Sequence, residues 1–304
     1  MIKLKTIFFI ILSLLLTNCN SKIEFVFAGG FQGGTYFKIG ESLNVIQDFK
    51  VKEISTDGSL DNLYKLEDKL ADFSISQLDV IQNLAIGDRD LSKKLRVLFP
   101  IYGEEVHIIS SKKINSIKEL KGKKISIGDS ESGTKFTSLI LLDQFGISAD
   151  DSTLEEIDSV KSLKMILEGT LDAMVLVAGV PVKLLVDLPE ETKEKIHILE
   201  FSKDSFSAVR GTNLIYQKSE IPASTYSWEI RPISTIIVQS VLICRSDLED
   251  KVVKQFVESI WKNKSTLATK HEKWNSLNKD SLKTHLDKNP EIFHPIMKDI
   301  IGNL

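Results

Sequence analysis

Ile23-Glu24-Phe25-Val26-Phe27-Ala28 runs directly into Gly29-Gly30-Phe31-Gln32-Gly33-Gly34-Thr35-Tyr36, and this join of an apolar, β-prone run to a glycine-rich turn decides the fold. The run predicts a strand, the glycines a tight turn, and the residues through Ile46 a helix. The unit then repeats. Val51 to Ser55 reads as a second strand, followed by Thr56-Asp57-Gly58-Ser59, where Ser59 or Asp57 can cap a helix reaching about Leu70. Phe73 to Ser76 reads as a third strand ending at Gln77-Leu78-Asp79, with an amphipathic segment to Ile86 beyond it. Such a succession of β-turn-α units predicts a parallel sheet with helices on its faces.

Downstream, Arg96 to Tyr102 and Glu105 to Ser110 read as two strands bracketing Gly103, and the βα pattern then restarts at Ile125 to Gly128. Gly128-Asp129-Ser130-Glu131-Ser132-Gly133-Thr134 is a second glycine-containing turn, and Lys135 to Phe145 reads as a helix stopped by Gly146. A strand at Leu154 to Ile157, a helix at Val160 to Leu167 and a strand at Ala173 to Val177 complete this second unit, which ends at Ala178-Gly179-Val180-Pro181. Past Phe201, Asn213 to Gln217 and Ile233 to Cys244 are β segments with no helix between them. Leu248 to Asn263 then has helical spacing at Val252, Val253, Phe256, Val257 and Ile260. Two similar halves with a late return to the first predict two lobes. Lobe one takes residues 19–104 and 214–304, lobe two takes 105–213, and the crossings fall near Tyr102 to Glu105 and Gly211 to Leu214.

Composition narrows the function. Thirty-nine Lys and Arg against 42 Asp and Glu leave a net charge of −3, so no overall basic field draws the chain to nucleic acid. Two cysteines in 304 residues make neither a disulfide framework nor a zinc site. At the N-terminus, Lys3 and Lys5 precede an apolar run from Ile7 to Leu16, then Leu16-Thr17-Asn18-Cys19. That order reads as a signal peptide over residues 1–18, and the run is too short to span a bilayer as a stable helix. Cys19 at its end is similar to the lipid-bearing cysteine of a bacterial lipoprotein, with plain secretion as the alternative. Periplasm or cell envelope is the expected location, with a membrane reached through a lipid on Cys19. Cys244 lies in the apolar run from Ile236 and reads as a small core residue.

The candidate chemistry is sparse. Gly128 to Gly133 has the glycine spacing of a phosphate-binding loop, but Thr134-Lys135 follows where such a loop has lysine and then Ser or Thr. A cradle of backbone N–H groups for a carboxylate or other anion fits better. Ser130 falls short of a nucleophile elbow because the last position of its pattern is Ser132 rather than glycine. His107, His197, His271, His285 and His294 show no metal-ligand spacing, and no acid/base pair stands out, so neither a catalytic residue, a metal nor a cofactor is expected. Small polar residues instead gather at strand ends, where open α/β sheets bind ligands.

Those strand-end residues fall in a sequence pattern. Gly33-Gly34-Thr35-Tyr36 with Gly40, Ser59-Leu60-Asp61-Asn62-Leu63, Ala71 to Val80, Leu120 to Gly128, Glu131-Ser132-Gly133-Thr134, Gly179-Val180-Pro181, Ile221 to Tyr226 and His294-Pro295 occur in order along the chain. In that order they resemble the TAXI family of solute receptors for TRAP transporters. The resemblance implies an α/β, periplasmic-binding-protein-like fold of type II, with two lobes, a hinge and a cleft. It implies a receptor, not an enzyme, that carries a small carboxylate to a TRAP-type permease, the carboxylate being a glutamate-like amino acid or a 2-oxo dicarboxylate. Gly34, Thr35 and Tyr36 from lobe one and Ser132, Gly133 and Thr134 from lobe two would face the ligand, beside Ser59, Asn62, Gln77, Asp79, Pro181, Tyr226 and Thr235. Arg210 and Arg231 lie near the predicted crossings, where surface salt bridges are their first reading. The receptor of an ABC importer, or the sensing module of a signalling system, is the alternative among binding proteins; an exported hydrolase using Ser130 or Ser132 is the alternative among enzymes.

Overall fold

The computed structural model describes residues 22–208 and 215–303. The expected signal peptide, Cys19, Arg210 and the expected crossing at 211–214 lie outside the described residues. Among the described residues no helix is long and apolar enough to cross a membrane.

The first half follows the predicted order: β1 (Ile23–Ala28), α1 (Thr35–Ser42), β2 (Phe49–Ile54), α2 (Ser59–Glu67), β3 (Phe73–Gln77) and α3 (Leu78–Gly87). Strand β1 pairs in parallel with β2 on one side and β3 on the other. Helix α2 is not capped by Ser59 or Asp57. Its N-cap is Gly58 at φ +128°, with no side-chain bond, and Ser59 is the first helical residue. Glycine holds that place because its backbone is left-handed, and a Cβ there would sit 3.3 Å from the Cα of Ser132.

The two strands expected around Gly103 are one strand, β4 (Leu95–Ser111), of 17 residues. The second half adds β5 (Lys124–Ser126), α4 (Gly133–Gln144), β6 (Thr153–Glu155), α5 (Ser159–Glu168), β7 (Ala173–Ala178), β8 (Ile196–Ile198) and β9 (Tyr216–Ile221). Last come β10 (Ile233–Arg245) and α6 (Asp250–Lys262). Gly103 does not break β4 because β10 runs antiparallel beside it, with Gly103 opposite Gln239. The ladder takes up its irregularity by register shifts between Gln239 and Val241 and between Leu242 and Ile243.

The strands form one mixed sheet in the order β2-β1-β3-β10-β4-β7-β5-β6, with β8 also on β4 and β9 also on β10. Parallel pairing holds among β1, β2 and β3 and among β5, β6 and β7. The two long strands between these sets are antiparallel to each other and to their other partners. This is the mixed α/β, periplasmic-binding-protein-like architecture.

The core changes along both long strands. Val97 to Tyr102 of β4 and Val241 to Cys244 of β10 pack with the first βα units and α6. Val106 and Ile108 of β4, Ile236 and Val238 of β10, and Tyr216 of β9 pack instead with β5, α4 and β7. A third cluster joins Ile109 to Leu163, Met174, Tyr226 and Ile233. The chain after residue 214 therefore does not return at once to the first core; it changes core at Gln239-Ser240. There Gln239 Nε2 and Ser240 Oγ both donate to the Tyr102 carbonyl at 2.8 Å. Helix α6 buries Val253, Phe256, Val257 and Ile260, as its spacing predicts, and Phe256 stacks on Phe73 with centroids 3.7 Å apart. Cys244 is a free, fully buried thiol whose pKa burial pushes up, which fits a core residue.

Candidate functional site

Strand ends and helix starts from both halves meet at one place. The Ser59 hydroxyl accepts the Gln77 N–H at 3.2 Å, which ties the start of α2 to the end of β3. The N–H groups of Leu60 and Asp61 donate to the Glu131 carbonyl of the second glycine turn at 3.1 and 3.4 Å. Gly133 opens α4 directly against this pair: a Cβ there would lie 1.8 Å from Gln77 Oε1 and 2.7 Å from Ser59 Oγ. Any other residue would have to push the Gln77 amide and the Ser59 hydroxyl aside. The first glycine turn joins through Gly30, whose carbonyl accepts from Thr56 N at 2.9 Å and Ser55 Oγ at 3.1 Å. Helix α1 begins after Gly34 with no side-chain cap, presenting Thr35 and Tyr36.

At the centre of this junction lies Glu104, which the sequence reading did not single out. It is 4% exposed, and Gln77 Nε2 donates to its Oε2 at 3.0 Å. Burial pushes its pKa up to about 7, opposed by the Tyr36, Gln77 and Tyr102 side chains beside it. Burial and the Glu104 charge in turn raise Tyr36 and Tyr102 well above the usual phenol range. The two tyrosine rings stand edge to face, 6.5 Å apart. Tyr36 Oη, Gln77 Oε1 and Glu104 Oε1 are buried without a hydrogen-bond partner. Buried polar atoms are nearly always paired, with protein or with water, so these three side by side make the junction the candidate site. A carboxylate inside an otherwise apolar strand run was the signal available in Gly103-Glu104-Glu105.

Other expected ligand residues are occupied by the protein itself. Asn62 is fully buried; its Oδ1 accepts from Thr56 Oγ1 at 2.5 Å and its Nδ2 donates to the Ile75 carbonyl at 2.7 Å. Asp79 accepts from Thr137 Oγ1 at 2.6 Å, Tyr216 Oη at 2.8 Å and Val80 N at 2.8 Å. Burial raises its pKa against those three bonds. Ser132 caps α4 through Lys135 N at 3.2 Å, and Thr134 Oγ1 accepts from Val177 N at 3.2 Å. Thr235 Oγ1 donates to the Val106 carbonyl at 2.5 Å. Tyr226 sits in the third core, away from the junction. It stacks on Trp228, and its hydroxyl contacts His107 Nε2 at 2.8 Å and accepts Val182 N at 3.2 Å. Pro181 follows a cis peptide in a loop held from both sides: Val180 N donates to Glu105 Oε2 at 3.1 Å, and Lys273 Nζ to the Val180 carbonyl at 2.7 Å.

Among the described residues no histidine contacts Ser130 or Ser132. Ser130 donates weakly to Asp129 Oδ1 at 3.3 Å, and Ser132 donates to the Asp129 carbonyl at 2.8 Å. Asp57, Asp61 and Glu131 place carboxylate oxygens within 4.8 Å of one another. Both Asp61 oxygens are already engaged, by Lys65 at 3.0 Å and by Asp57 N at 3.0 Å. Arg231 is exposed on the surface between Glu200 and Glu229, as a salt-bridging residue.

The chain matches the model of the NMT1-like family over residues 27–295. Among solved structures, PhnD1 from Prochlorococcus marinus in complex with methylphosphonate superposes with a TM-score of 0.55 at 12% identity, over 92% of this chain and 97% of that one. A Xanthomonas citri protein bound to ATP gives 0.52 at 11% identity, over 92% and 98%. A Bordetella bronchiseptica protein gives 0.52 at 16% identity, over 93% and 89%. At these identities the likeness is one of fold. The matched range takes in both glycine turns, β4, β10 and the junction between the halves, so the chain belongs to the NMT1-like family.

Proposed function

We propose that the protein is an exported solute receptor, without catalysis, that encloses a small carboxylate-bearing solute between two lobes and delivers it to a TRAP-type permease. The solute is a glutamate-like amino acid or a 2-oxo dicarboxylate. The observation that carries this reading is the trio of buried, unpartnered atoms, Tyr36 Oη, Gln77 Oε1 and Glu104 Oε1, where the two halves meet. Bonds such as those from Leu60 and Asp61 to the Glu131 carbonyl join the halves there. Hinge closure over a solute fits that arrangement. Lobe one would take residues 19–104 and the chain from about 240 onward, and lobe two the part between, following the change of core on β4 and β10. The ligand-facing set would be Gly34, Thr35, Tyr36, Ser59, Gln77, Glu104 and Gly133. Asn62, Asp79, Ser132, Thr134, Pro181, Tyr226 and Thr235 would support it from behind. In this reading Cys19 carries a lipid that keeps the receptor at a membrane.

Purified protein beginning at residue 19 is expected to melt at a higher temperature with L-glutamate, L-glutamine, 2-oxoglutarate or succinate present, because a ligand that binds only the folded state stabilises it by mass action. Absence of any shift across these four, at millimolar concentration, would end the carboxylate reading.

A further inference from the structure

The three orphan atoms at the junction differ in what they can do. The Gln77 amide is oriented by its Nε2 bond to Glu104, so its Oε1 can only accept a hydrogen bond. Glu104 Oε1, when ionised, is likewise an acceptor. Gln77 Nε2 donates to Glu104 Oε2, and the Tyr36 and Tyr102 side chains beside it only partly offset the burial that raises its pKa to about 7. No lysine or arginine forms an ion pair with Glu104 among the described residues. Lys273 Nζ lies 5.6 Å from the Tyr102 ring centroid and donates to the Val180 carbonyl. Asp79, the other buried carboxylate acting on Glu104, adds negative charge. The free valences thus face a ligand with acceptors and electron-rich rings, a setting that repels a bare anion.

We infer that the buried subsite formed by Glu104, Gln77, Tyr36 and Tyr102 takes a protonated nitrogen of the solute, a primary ammonium or an amidinium. The inference rests on the receptor reading above and deepens it. An ammonium would supply N–H donors to Glu104 Oε1 and Gln77 Oε1 together, and it would neutralise a carboxylate that burial otherwise penalises. Of the two solute classes proposed, this selects the amino acid over its 2-oxo counterpart.

The test compares L-glutamate, L-glutamine, L-arginine and putrescine with 2-oxoglutarate, succinate and methylphosphonate, by calorimetry on wild type and Glu104→Gln. Solute released from the unfolded purified protein is also analysed for a basic nitrogen. Wild type is expected to bind an amine-bearing member. Glu104→Gln is expected to weaken that binding by about 10- to 100-fold, the loss typical of a hydrogen bond to a buried charge. Binding of the nitrogen-free anions alone by wild type, or amine binding undiminished in a folded Glu104→Gln protein, overturns the inference and leaves the receptor reading standing. No binding of any probe, together with no released solute, overturns both. Should the variant fail to fold, wild-type selectivity between L-glutamate and 2-oxoglutarate decides alone.

Discussion

Asp79 is a buried carboxylate whose oxygens are spent inside the protein: α3 donates to it from Val80, α4 from Thr137 and β9 from Tyr216. It therefore fastens the first half to the second. Asp79→Ala removes the shared acceptor of two buried hydroxyls, and a cost of about 2–4 kcal/mol is expected, a fall of roughly 3–7 °C in Tm by differential scanning calorimetry. His107 is a second such case. Its Nδ1 lies 3.0 Å from the Glu105 carbonyl, which can only accept, so Nδ1 carries the proton and Nε2 accepts from Tyr226. Burial holds its pKa down at about 4 from an ordinary 6.5. A depressed folded pKa means the unfolded chain takes the proton first. The stabilisation is thus complete above pH ~6.5 and lost as pH falls toward ~4, by on the order of 3 kcal/mol. A scan of Tm against pH is expected to fall more steeply over that window in wild type than in His107→Leu. At this scale the sequence showed which residues stand at strand ends but not where their polar atoms go. Ser59, Gln77 and Gly133 do meet across the junction, while Asn62, Tyr226 and Thr235 lose theirs to neighbours that only the tertiary fold brings close. Glu104 escaped because a strand reading offers no reason for a carboxylate's partners to be missing.

Among the elements, the start of α4 has the least room to change. Its first residue touches Gln77 and Ser59 of the other half, and a Cβ on Gly133 would have to displace the Gln77 amide, which is buried and bonded to Glu104. Gly133→Ala is expected to push the second glycine turn away from α2 and β3. The expected result is loss of solute binding by at least about 100-fold in calorimetry, with the two cores and the far-ultraviolet spectrum intact, because the clash lies between halves rather than within either. Retained affinity would mean that closure does not need this contact. The βα units were readable because each couples an apolar run to a glycine or polar turn, a local signal. Strand β4 was misread as two for the opposite reason. Gly103 and two glutamates look like a turn along the chain, and only the pairing with β10, more than 130 residues later, keeps them extended.

For the molecule as a whole, the C-terminal tail gives closure a further contact. Trp274 is buried in the first core with its Nε1 donating to Ser42 Oγ at 2.8 Å, so the short helix Glu272–Ser276 is firmly seated there. From that seat Lys273 reaches the Val180 carbonyl at 2.7 Å, on the loop that follows β7. The bond links an anchored tail to a second-half loop without passing through β4 or β10, so it can break and re-form as the halves move. A contact made only when the halves are together slows opening more than it speeds closing. Lys273→Ala is therefore expected to raise the solute dissociation rate by about 3- to 30-fold, the effect of one partly buried charged hydrogen bond, with a smaller change in association rate. Stopped-flow measurement with tryptophan fluorescence reads both rates, and Lys273→Arg is expected to recover part of the loss. An unchanged dissociation rate in Lys273→Ala would assign the bond to fixing the 179–181 loop alone, and closure would then depend on the junction around Ser59, Gln77 and Gly133.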